Sequence, residues 1–207
     1  MAVNYFGADN SVGVAGVIST GDNTLLGFYD VQRKRLKKFA DQYVNEKAKP
    51  VETLISAGST TTTPEVAATR RGFQDFRRMM VLTQWFAYSG QTQYRDHAIE
   101  MILDWARENI PDGHPINQTN FEPMHHCIPV LRPHMTTQEQ TTMDNWLNAI
   151  RVATENWNFP LEPGGGTLRY GNHYTHHYMQ LLLCYKSLNL TTEFNSLLTT
   201  IDQHALE

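Results

Sequence analysis

The chain has 207 residues, 41% hydrophobic and 11% aromatic, which is enough to bury one sizeable core; one domain is expected rather than two. A net charge of −4 with a pI near 6.1 gives no field that gathers nucleic acid or an anionic membrane, so an acidic polymer has to be held by a local cationic groove. No apolar run approaches the ~20 residues of a membrane span, and a soluble protein is expected.

Residues 1–26 are rich in Gly, Asn, Ser and Val without a steady period and read as an arm with little fold of its own; the rest, 27–207, reads as one domain. The opening Met1-Ala2-Val3-Asn4-Tyr5-Phe6 has no basic region ahead of the apolar piece Val12 to Ile18, so it makes a poor signal peptide. A first helix is predicted over about 28–48, with Phe28, Val31, Leu36, Phe39 and Tyr43 on its apolar side. Its basic cluster, Arg33, Lys34, Arg35, Lys37 and Lys38, has a solvated face as its default reading. Ser56 to Thr63 is small and polar, is closed by Pro64, and reads as a linker. A helix follows over about 66–89, with Phe73, Phe76, Met80 and Trp85 near one stripe, and Gly90 is placed to stop it. The next, about 91–110, carries Ala98, Met101, Ile102 and Trp105 at i, i+3, i+4 and i+7 and closes at Pro111-Asp112-Gly113. So short a link makes the pair an antiparallel hairpin.

His114 to Asn120 reads as a polar loop, and residues 121–134 as helical only in pieces because Pro123, Pro129 and Pro133 interrupt them. Thr136-Thr137-Gln138-Glu139 signals a capped helix over about 137–158 with Met143, Trp146, Leu147 and Ile150 at helical spacing. The run Gly164-Gly165-Gly166 breaks the pattern. Helices of about 172–188 and 191–204 end the chain, the last with Phe194, Leu197, Leu198 and Ile201. No credible strand pair occurs. The fold class is therefore all-α: hairpins that cannot bury their apolar faces alone stack into a curved array whose inner helix ends line a groove. Cys127 and Cys184 are too few for a disulfide framework and are expected as buried free thiols.

The chemistry concentrates in Gly171-Asn172-His173-Tyr174-Thr175-His176-His177-Tyr178. On a helix starting near Asn172, His173, His176 and His177 fall at i, i+3 and i+4, with Tyr174 and Tyr178 on the adjoining strip. Three readings compete. A zinc site would use a histidine pair plus His125, His126 or Glu122, but the Glu of His-Glu-x-x-His is missing. A structural reading has the histidines packed or capping. The third is proton abstraction next to a carboxylate, as β-elimination of a uronate polymer requires. An ionised carboxylate makes the neighbouring proton very weakly acidic, so neutral amide and imidazole donors must offset its charge. A neutral His or a deprotonated Tyr then takes the proton and a phenol returns one to the leaving oxygen. Nearby, Arg169 offers a bidentate fork for a carboxylate, against a plain surface role. Of His125 and His126, one is expected to line the groove and the other to pack. Trp85 has the shape to stack on a sugar ring, although its helical spacing favours the core.

Asn172-His173 followed by aromatics at a helix start resembles the Asn-Asn-His-x-x-Trp type motif of the alginate lyase and related uronate polysaccharide lyase superfamily, with Gly171 at the first Asn position and His176 at the Trp position. Gln84 to Tyr94 with Ala98 to Trp105 looks like the helix pair that precedes the family's active-site loop. Pro115-Ile116-Asn117-Gln118-Thr119-Asn120-Phe121-Glu122-Pro123 looks like the Asn-bearing loop of glucuronan-lyase-like members. The resemblance spans roughly residues 70–190. It implies an incomplete α/α toroid that cleaves an alginate- or glucuronan-type polymer by β-elimination without metal or cofactor. His173 and Asn172 then match the catalytic pair, Asn117 or Asn120 the carboxylate-neutralising amide, and Tyr174 the acid. Gln118, Asn120, Arg169, His125, His126, Tyr178 and Trp85 are the expected substrate contacts. The partner implied is an acidic polysaccharide, not nucleic acid or membrane, and the location periplasmic or secreted even though the N-terminus has no signal-peptide pattern. The family's further Arg and Tyr lie well downstream of the histidine. Either the chain is a portion of a longer lyase, or Tyr174, Tyr178 or Tyr170 takes the phenol's place. The alternatives are a carbohydrate-binding or structural α/α domain without turnover and, third, a zinc hydrolase. Which uronate, endo or exo action, and oligomeric state have no signature in the sequence.

Overall fold

A computed structural model of the chain describes residues 23–55, 63–157 and 172–205, with side chains described over 30–55, 63–157 and 173–203. Most of the expected N-terminal arm, the tract from Ser56 to Thr62, the glycine run at Gly164, and Arg169, Tyr170 and Gly171 lie outside these residues. Among the described residues the chain is all-α with no strand, and no helix is long and apolar enough to cross a membrane.

Helix α1 spans Asn23–Tyr43, so helix begins inside the stretch expected as an arm and ends five residues earlier than 48. The early end has a tertiary cause. Beyond it the chain runs without helix through 46–55 and is tied to three elements in turn. The Lys49 N–H donates to Asp75 Oδ2 at 2.5 Å. The Val51 and Glu52 carbonyls accept the Asn109 amide at 3.0 and 3.2 Å. The Leu54 carbonyl accepts Asn117 Nδ2 at 2.9 Å.

Helix α2 spans Pro64–Ser89, capped by Thr63 with Pro64 pre-set for the first turn, and ends at Gly90, whose φ of 70° is the left-handed stop its position predicts. Helix α3, Thr92–Glu108, folds back antiparallel. Trp85 meets Tyr94 near the link, their ring centroids 6.4 Å apart, and at the far end Asp75 accepts from Trp105 Nε1 at 3.0 Å. Asp75 also accepts from Arg78 at 2.9 Å, yet burial holds its carboxyl above the ordinary value.

Helix α4 is the single turn Pro115–Gln118, followed by a 3-10 turn Thr119–Phe121 and helix α5, Glu122–Leu131. The polar loop and broken segment expected here are thus helical almost throughout. Pro123 falls in the first turn, where its missing N–H leaves no gap, and Pro133 in a second 3-10 turn, Arg132–His134. Pro129 does interrupt the ladder, but burial of Met124, Cys127, Ile128 and Leu131 holds α5 together. Phe121 is fully buried, with ring centroids 5.1 Å from Phe76 and 5.4 Å from Trp146, and fastens this segment to the core.

Helix α6, Thr137–Glu155, opens on a complete capping box between Thr136 and Glu139. Helix α7, Asn172–Ser187, runs back along it: Arg132 joins Asp144, near the start of α6, to the Ser187 carbonyl at the end of α7. A Schellman turn then leads into α8, Thr191–Ala205, with Asn189 at a φ of 59° and the Leu190 N–H reaching the Tyr185 carbonyl at 2.8 Å. Cys127 and Cys184 are buried free thiols, each pushed up to about 12 by desolvation.

Candidate functional site

Gly113 turns the chain beneath the end of α6. Its φ is 79°, and a Cβ there would lie 2.1 Å from the Ala153 carbonyl oxygen, so only glycine permits this approach. Asp112 then winds the following turn: one oxygen accepts the His114 N–H and the other accepts Asn117 Nδ2, both at 2.9 Å. His114 is the N-cap of α4. Its ring Nδ1 accepts the Ile116 N–H at 3.2 Å and its carbonyl accepts the Gln118 N–H at 3.0 Å.

The first turns of α7 pass this corner. The His114 and His173 ring centroids are 6.0 Å apart, and His114 meets Trp157 edge-on at 4.8 Å. One turn further, His176 Nδ1 lies 3.0 Å from Thr119 Oγ1. The Tyr174 and Tyr178 hydroxyls hydrogen-bond each other on the neighbouring strip. His173, His176, Tyr174 and Tyr178 are half-buried, whereas His177 turns into the interior. Desolvation lowers the His114 pKa from its ordinary value, opposed by Asp112 and reinforced by His173; desolvation lowers His177 as well. Desolvation, then the contact with Tyr174, raises the Tyr178 hydroxyl.

The residues read from sequence divide. His173 and His176 meet the Pro115–Asn120 turn and its cap His114, while Tyr174 and Tyr178 pair with each other on the neighbouring strip. Asn172 opens α7, its side chain outside those described, and Arg169 is outside altogether. Asn117, expected to hold a carboxylate, is instead buried, its amide donating to Leu54 O and Asp112. Asn120 likewise turns its amide back on the Ile116 and Asn117 carbonyls, both at 3.2 Å. Gln118 is fully buried: its Oε1 accepts from Thr154 Oγ1 at 2.6 Å, and its Nε2 meets no partner among the described residues. Trp85 belongs to the core, stacked on Tyr88 at 5.4 Å. Of the two histidines expected to divide between groove and packing, His125 is the one that packs, enclosed at the far end of α7, while His126 is exposed near Glu122. Asn117, Gln118 and His125 are withdrawn from a substrate because their polar atoms tie separate elements together, Asn120 because its amide closes its own turn, and Trp85 because it packs in the core as its helical spacing favoured.

Sequence reasoning passed over His114, Thr119 and Trp157. The signal for His114 was present, because a residue between Gly and Pro at a helix start occupies the cap position. Trp157 becomes relevant only through the fold. Among the described residues, no three His, Cys, Asp or Glu side chains are arranged to hold a metal ion. No family model matches the chain, and no curated protein or solved structure matches it either.

Proposed function

We propose that the chain is a polysaccharide lyase domain, an incomplete α/α toroid that cleaves a uronate-containing polymer of the alginate or glucuronan type by β-elimination. The observation that carries this reading is the meeting of the Pro115–Asn120 turn with the opening of α7, where His114 and His173 face each other at 6.0 Å and Thr119 reaches His176 at 3.0 Å. The Asn172-His173 resemblance and the half-buried phenols beside it add support.

In this reading His173, as a neutral imidazole, takes the proton from the carbon bearing the carboxylate. The electron pair of that C–H bond forms the new double bond to the next carbon, and the bond from that carbon to the glycosidic oxygen breaks. Tyr174, hydrogen-bonded to Tyr178, gives its proton to the departing oxygen. In the same reading the Asn172 amide and the N–H groups of the first turn of α7 offset the charge that gathers on the carboxylate. The test is to incubate the protein with alginate, polymannuronate, polyguluronate and glucuronan and follow the ultraviolet absorbance of the unsaturated product. One polymer should be cleaved, and His173→Ala should lower its rate roughly 100- to 10,000-fold, as loss of a proton-transfer group does. Cleavage of none, or full activity in His173→Ala, rejects the assignment.

One observation favours a second reading, carbohydrate binding without turnover. The amides of Asn117 and Asn120, which would neutralise the substrate carboxylate, are engaged by the protein itself. Binding of a uronate polymer with no new double bond supports that alternative.

A further inference from the structure

We propose that His114 is a fixed, neutral hydrogen-bond donor that holds the uronate carboxylate through its Nε2–H, taking the place the asparagines of the same turn cannot fill. The inference rests on the lyase reading for its ligand and on this geometry for the residue.

Every other polar atom of His114 is engaged. Its N–H donates to Asp112 at 2.9 Å, its carbonyl accepts the Gln118 N–H at 3.0 Å, and ring Nδ1 accepts the Ile116 N–H at 3.2 Å. A ring nitrogen that accepts a backbone N–H carries no proton, so the neutral imidazole must carry its proton on Nε2. No described residue hydrogen-bonds Nε2, and it is not among the buried polar atoms left without a partner. Protonating Nδ1 would set N–H against N–H at the helix cap, which holds the ring neutral. Burial works in the same direction, His173 reinforces it, and Asp112 opposes it. An imidazole in this state cannot act as a base through Nε2. It can donate to an anion without bringing a charge, and a neutral imidazole donor is a known means of polarising a carbonyl.

The surroundings suit that task. The Trp157 ring packs against the imidazole with centroids 4.8 Å apart, and His173 at 6.0 Å places donor and base within reach of one small group. A cation in this position would disfavour the protonated His173 that forms during proton abstraction. A neutral donor does so far less. The nearby amides offer no substitute, since Asn117 donates to Leu54 O and Asp112, and Asn120 to Ile116 and Asn117 carbonyls.

Two variants separate cap from donor. In His114→Asn the side-chain oxygen keeps the cap, as asparagine does at helix starts, but no donor reaches the ligand. His114→Gln extends an N–H to about the position of Nε2 and weakens the cap. The experiment is side-chain ¹⁵N NMR of the full chain from pH 5 to 8, alone and with short oligomers of mannuronate, guluronate and glucuronate, or a neutral glucose oligomer. Alongside it, both variants are assayed for unsaturated product. The expected result is a neutral His114 ring that carries its proton only on Nε2 and becomes charged at lower pH than an ordinary histidine, with an Nε2 resonance that moves with an acidic oligomer but not with the neutral one. His114→Asn should cleave about 100-fold more slowly with little change in KM, as when an oxyanion donor is removed, and His114→Gln should recover part of the loss. A neutral ring that carries its proton on Nδ1, or His114→Asn cleaving at the wild-type rate, overturns the assignment and leaves the lyase reading standing. Uronate-specific movement of Nε2 without any unsaturated product does the reverse.

Discussion

Helix α7 has a neutral imidazole against each of its ends, and the two are built differently. At the far end His125 accepts from Gln180 at 3.1 Å through Nε2 and so turns its Nδ1 proton toward Ser187 Oγ at 2.8 Å; it is enclosed, with a pKa brought down to about 3 by burial. At the near end His114 is also below its ordinary value, but only Nδ1 is engaged and the ring is partly open. A histidine with both nitrogens satisfied by the protein is a joint between helices. One with a nitrogen left over at a half-open corner has donor capacity for something else.

Acid should expose the joint most strongly. The His125 folded value lies below that of the unfolded chain, so its contribution is fully present above pH 6.5 and is lost as pH falls from 6.5 toward 3. At about 1.4 kcal/mol per unit, the wild type should lose roughly 2–3 kcal/mol between pH 7 and 4.5 that His125→Asn does not. Urea unfolding of both proteins at the two pH values measures this, and equal losses would mean His125 does not titrate on unfolding. Comparable in size is Gly113→Ala, where the left-handed φ alone should cost about 1–2 kcal/mol and the clash with the Ala153 carbonyl adds to it. Because the same glycine places His114, uronate binding should weaken by more than the stability loss explains; a variant that binds normally would detach the corner from Gly113. Smallest is Ser187→Ala, which strips a partner from a buried ring nitrogen and should cost about 1–2 kcal/mol in thermal or urea unfolding. Its activity should stay within twofold of wild type, and a larger fall would join the two ends of α7 functionally.

Helices announced themselves where local rules acted alone. The apolar positions Ala98, Met101, Ile102 and Trp105 are all buried, Gly90 stops α2 in the left-handed conformation, and Thr136 with Glu139 closes a capping box. Boundaries set by distant partners were not legible. Nothing near Tyr43 indicates that Glu46 must leave the helix for its carbonyl to meet the His97 ring, and the three prolines of 121–134 conceal a segment that burial of Met124, Ile128 and Leu131 keeps helical. The site follows the same division. The density of imidazoles and phenols after Asn172 marked α7, but whether an Asn or a His of the preceding turn faces outward depends on Leu54 and Asp112 claiming the Asn117 amide. Composition could nominate that turn; one hydrogen bond from distant Leu54 and others within the turn chose which of its side chains remained available.

The most direct test is amide and side-chain chemical-shift mapping of the protein with a short uronate oligomer of the polymer it prefers, set against a neutral glucose oligomer of equal length. The prediction is that His114, Thr119, Trp157, His173 and His176 respond together to the acidic oligomer and not to the neutral one. Shifts confined to the basic face of α1, or equal responses to both sugars, would contradict a single acidic-sugar site between the α4 turn and α7.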